Sequence, residues 1–93
     1  MTTQTHKDAF QIGRITITPG ALGRLNLDDI WDCLNRHVRG DWGDCELNVA
    51  RQNDYALDKD LRLRSVYHDR NSTEFWIITE WDRSVTTVLL AEY

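Results

Sequence analysis

Apolar and polar residues change their spacing twice along this chain. Ile15 and Ile17 alternate with Thr16 and Thr18, the period of two of a half-buried strand, which predicts a first strand from Phe10 to Thr18. Pro19-Gly20 reads as the turn that ends it. From Leu27 to Arg39 the period lengthens, and Leu27, Ile30, Trp31, Leu34 and Val38 make one stripe of a helix. Asn26 is a suitable N-cap, Asp28 and Asp29 suit the first turn, and Gly40 is placed to stop the helix in a left-handed conformation. After the connector Asp41-Trp42-Gly43-Asp44, a second helix is expected from about Cys45 to Lys59. Leu47, Ala50 and Leu57 give it a thin apolar face, and Asn53 weakens its middle.

Beyond Leu61 the period returns to two. Leu61–His68, Glu74–Glu80 and Ser84–Leu90 read as strands, separated by turn chemistry at residues 69–73 and a short reversal at 81–83. Links this short require antiparallel pairing, since a parallel crossover needs about a dozen residues. The expected fold is α+β: an antiparallel β-meander of three C-terminal strands, with two helices packed on one face. The N-terminal strand should join an edge of that sheet.

Ninety-three residues with 41% apolar side chains and four tryptophans suit a single domain over 1–93, with residues 1–9 as a polar, flexible tail. No apolar run approaches the ~20 residues of a membrane span, and the N-terminus does not look like a signal peptide. Cys33 and Cys45 make neither a disulfide framework nor a zinc site, so reduced thiols in a cytoplasm are expected, with no metal and no cofactor. Cys33 is placed on the polar-to-boundary side of its helix. The net charge is −4, and the acids concentrate in the middle: residues 28–60 hold nine carboxylates against four Lys and Arg. A duplex-DNA binder needs the opposite sign.

The stretches Ile17–Leu22, Arg36-His37, Gly40–Gly43, Asn53-Asp54, Ser65–Asn71 and above all Phe75–Leu90 resemble a family of small bacterial proteins carried on plasmids, phages and other mobile elements. The similarity covers most of the chain after Gly13, and its last third is the specific part. Trp81 stands where a small residue would be expected. The family has no agreed chemistry. What the resemblance implies is an accessory gene of a mobile element, for which disarming a host defence or membership of a toxin–antitoxin pair are common roles.

Two sets of residues carry candidate functions. Asp41, Trp42, Asp44, Glu46, Asp54 and Asp58 could form an acidic docking face that imitates nucleic-acid phosphates, with Trp42 as an exposed hot-spot ring. The structural alternative is a solvated helix face, with Trp42 folded into the core and Asp44 capping the next helix. The expected partner is then a protein, a nucleic-acid-targeting host complex of CRISPR or restriction type, inhibited without catalysis. The second set, Arg83, Tyr67, His37 and Glu80, holds the acid, base and cation of a metal-free ribonuclease-like toxin. Against it, His37 suits a helix C-terminus for structural reasons alone. A third possibility is an antitoxin or regulatory homodimer that pairs through a sheet edge.

Overall fold

The computed structural model describes residues 8–91, so the tail expected over 1–9 falls almost wholly outside the described residues. The chain is α+β, with four strands and three helices. They are β1 (Arg14–Ile17), α1 (Pro19–Arg24), α2 (Leu27–Val38), α3 (Leu47–Lys59), β2 (Leu63–His68), β3 (Glu74–Thr79) and β4 (Val85–Leu90). The sheet order is β1-β4-β3-β2. β2, β3 and β4 form the expected antiparallel meander, while β1 takes the edge beside β4 and runs parallel to it, pairing Ile15 with Thr86 and Ile17 with Val88. The sheet is therefore mixed, not a strict meander.

Pro19-Gly20 does not make a turn; it opens a short helix. Thr18 stays extended and its hydroxyl accepts the Ala21 N–H at 3.2 Å, while Pro19 takes the first helical turn, where its missing N–H costs nothing. The first strand is also shorter than expected. Gly13 adopts φ +69, and a Cβ there would collide with the main chain of Arg83 and Ser84, so extended pairing begins only at Arg14.

The inner face of the sheet and α2 enclose the main core, where Ile30, Cys33 and Leu34 meet Tyr67, Phe75, Ile77 and Val88. Cys33 is therefore a core residue and not at a polar boundary, and burial pushes its thiol up to about 11. Leu27 and Trp31, expected in the same stripe, remain half-exposed at 50% and 48%. α3 closes a second cluster, Trp42, Ala56 and Leu63, beside the β2 edge.

Candidate functional site

The connector between α2 and α3 is a strap laid along β2. The Val66 N–H donates to the Trp42 carbonyl at 3.1 Å, and the Asp44 N–H to the Val66 carbonyl at 2.7 Å. Gly43 bridges to Val66 at φ +75, where a Cβ would strike the Val66 carbonyl and the Tyr67 ring. Arg36 grips Asp41 through two hydrogen bonds of 2.8 and 3.2 Å, and the Tyr67 hydroxyl donates to the Asp41 carbonyl. The guanidinium holds the Asp41 carboxyl below the usual carboxylate range.

Trp42 is 6% exposed, so it is not an exposed docking ring. Its indole stacks near Phe10 and meets the His37 ring edge-on, and its N–H donates to Asp54 Oδ1 at 2.9 Å. That bond ties the strap to α3. Asp44 does not cap α3. The helix starts after Glu46 without a side-chain cap, and Asp44 instead meets His68 Nδ1 at 2.8 Å. Asp41, Asp44, Glu46, Asp54 and Asp58 are all exposed. Glu46 and Asp58 have no ion-pair partner among the described residues.

Asp44, Cys45 and Glu46 also line a groove of about 480 Å³ between the start of α3 and the outer sheet face, with Arg64, His68, Glu74 and Trp76 on its other wall. His68 sits between Asp44 and Glu74, whose carboxylate lies 3.6 Å from Nε2, and the Arg64 guanidinium lies 5.0 Å from the Trp76 ring centre. Alternation along β2 places His68, weighed with the ribonuclease-like set, on the face opposite Tyr67, as the structure has it. Glu74 and Trp76 lie outside both sequence-derived sets, because their approach to His68 and Arg64 depends on the β2–β3 register.

The alternative catalytic set does not converge on a cleft. His37 is fully buried and belongs to a chain of hydrogen bonds: Ser65 at 2.5 Å, Thr79 at 2.9 Å, then Thr79 to Thr86 at 2.7 Å and Thr86 to the Ile12 carbonyl at 2.6 Å. A carbonyl only accepts, so Thr86 donates to it, Thr79 donates to Thr86, and His37 Nε2–H donates to Thr79. Burial, with help from the Arg83 charge, lowers the ring's pKa to about 3, so at neutral pH it is uncharged and Nδ1 accepts from Ser65. Tyr67 is likewise buried, and burial raises its hydroxyl far above the usual value.

Arg83 is used as a structural cation. Its guanidinium donates to the carbonyls of Ala56, Leu61, Glu80 and Trp81 and sits 5.7 Å from the Phe10 ring centre. Glu80 lies at the surface, 3.8 Å from Arg62. Trp81 is exposed at the β3–β4 turn. Among the described residues no group of His, Cys, Asp and Glu side chains could hold a metal, and no helix is long and apolar enough to cross a membrane. No protein-family model matches this chain, and neither a curated protein nor a solved structure does.

Proposed function

We propose that this chain is a non-catalytic binding protein that sets an acidic face against a basic surface of a nucleic-acid-targeting host complex and so excludes nucleic acid. The observation that carries the reading is the run of exposed carboxylates along the strap and α3, namely Asp41, Asp44, Glu46, Asp54 and Asp58, with the strap held in place by the buried Trp42. Carboxylates fixed by a rigid support meet Arg and Lys side chains without further ordering cost, and they steer a positively charged partner into contact. The consumption of His37, Tyr67 and Arg83 by interior bonding favours recognition over turnover. The more specific setting rests on the resemblance carried by residues 65–71 and 75–90. It is a mobile-element product acting in a bacterial cytoplasm against a CRISPR or restriction complex.

The test is co-expression in a host with an active defence. The chain should protect incoming phage or plasmid DNA and should not arrest growth by itself. Glu46→Lys with Asp58→Lys reverses charge where no internal bond is broken. It should weaken binding to the purified complex about tenfold or more, a loss of about 1.4 kcal/mol, and leave the melting temperature unchanged. Full protection by this double variant would sink the acidic-face reading. Growth arrest on induction, relieved by changing His37 or Arg83, would turn the assignment toward a toxin.

A further inference from the structure

The two edges of the sheet are finished differently. On β2 the outward-facing backbone groups of Arg64 and Val66 all have partners. Asn53 of α3 bonds the Arg64 N–H and carbonyl at 3.1 and 2.7 Å, and the strap takes those of Val66. At the β1 edge, Arg14 donates to the Ser84 carbonyl just before β4, and Thr18, just after β1, donates to the Val88 carbonyl, so alternation turns the backbone groups of Ile15 and Ile17 outward. No partner for them lies among the described residues. An uncovered edge of β-branched residues is a template for another strand.

A groove of mixed character, about 320 Å³, lies beside that edge, where Ile12, Ile15, Trp31, Leu34 and Val38 are joined by Asp8 and Asn35. Leu27 and Trp31 on α2 are half-exposed.

We propose that a second copy of this chain occupies this edge, with β1 pairing antiparallel to β1 across a two-fold axis at Thr16. The sequence Ile15-Thr16-Ile17 reads the same in both directions. Ile15 of each copy then exchanges both main-chain hydrogen bonds with Ile17 of the other, and Thr16 faces Thr16 as a non-hydrogen-bonded pair. Arg14 falls opposite Thr18, so no like charges meet.

The helices agree with this arrangement. Asp28, Asp32, Asn35 and Arg39 follow one another at three- and four-residue spacing along the exposed side of α2, next to Trp31, acidic at the start and basic at the end. Asp28, Asp32 and Arg39 have no ion-pair partner among the described residues. The two-fold axis sets the two α2 helices antiparallel, so the acidic end of each faces the basic end of the other. The result is an isologous dimer with a continuous sheet and with Trp31 buried from both sides.

Cysteine cross-linking in a Cys45→Ser background, with Cys33 buried, tests the register. Under mild oxidation Thr16→Cys should form a disulfide-linked dimer, because a non-hydrogen-bonded antiparallel pair brings its Cα atoms to about 4.5 Å. Arg14→Cys and Thr18→Cys should not. Sedimentation should show a concentration-dependent dimer that Trp31→Lys weakens at least tenfold without lowering the melting temperature. A monomer at every concentration up to the solubility limit overturns the proposal. So does cross-linking at position 14 or 18 in preference to 16, which would indicate another register. A monomer whose Ile15 and Ile17 amides resist hydrogen exchange overturns it too, since the edge is then covered from within the same chain.

Discussion

His37 illustrates how a side chain read as a helix-end cation becomes part of the core. Its position near the end of α2 was plain in the sequence, but its partners Ser65, Thr79 and Thr86 lie on three strands whose register no local pattern supplies. Because the buried ring has a pKa near 3 against 6.5 in the unfolded chain, the unfolded state binds the extra proton throughout that interval. The His37 contribution is complete above pH 6.5 and declines as the solution is acidified. Unfolding free energy should fall by up to about 1.4 kcal/mol per pH unit below 6.5, read from urea midpoints across a pH series. His37→Phe, which cannot be protonated, should flatten that slope while lowering stability at neutral pH, because Ser65 and Thr79 lose their partner. Arg83 is a parallel case. The sequence offers Arg83 as the cation of a ribonuclease-like set, and the structure gives it four backbone carbonyls instead. Arg83→Ala should cost about 2–3 kcal/mol in chemical denaturation, through stranded carbonyls at the end of α3 and the β3–β4 turn.

At the scale of elements, the period of 3.6 located α2 and the period of two located β1 and β2, because each buries mainly one face. β3 buries Ile77 and Ile78 on opposite faces and was legible from its β-forming residues. α3 buries Asn53 and Ala56 and leaves Leu47 exposed. Two residues do more than their local propensity indicates. Pro19 ends a strand by its sequence context, yet a proline at the first helical position is also a start, and the Thr18 cap makes it one here. Asn53 is a poor helix former, whereas its side-chain amide pairs with both main-chain groups of Arg64 and locks α3 to β2. Asn53→Ala should destabilise by about 2–4 kcal/mol in urea titration and expose a second pairing edge, raising light scattering on heating. Gly43→Ala places a Cβ against Val66 at a positive φ, so the strap must lift. A loss of at least ~2 kcal/mol in denaturant, together with weaker partner binding, is the expected outcome.

For the whole molecule, the acidic character of the middle was legible from composition, and its distribution was not. Charge counting treats Asp41, Asp44 and Asp29 as available. The folded chain engages them with Arg36, His68 and Arg70, and leaves Glu46 and Asp58 with the freer carboxylates. The candidate site was thus legible as a region, and its working atoms were not, because pairing across 24 to 41 positions of sequence depends on topology.

The parallel contact between β1 and β4 has a temporal consequence. Arg14 pairs with Val85 and Ile17 with Val88, so β1 needs a partner made only after all three helices, β2 and β3. While β4 is held in the ribosomal exit tunnel, β1 waits beside an unfinished sheet. Closure should therefore come only once β4 has cleared the tunnel, and nascent chains stalled before that point should stay sensitive to protease at residues 14–17.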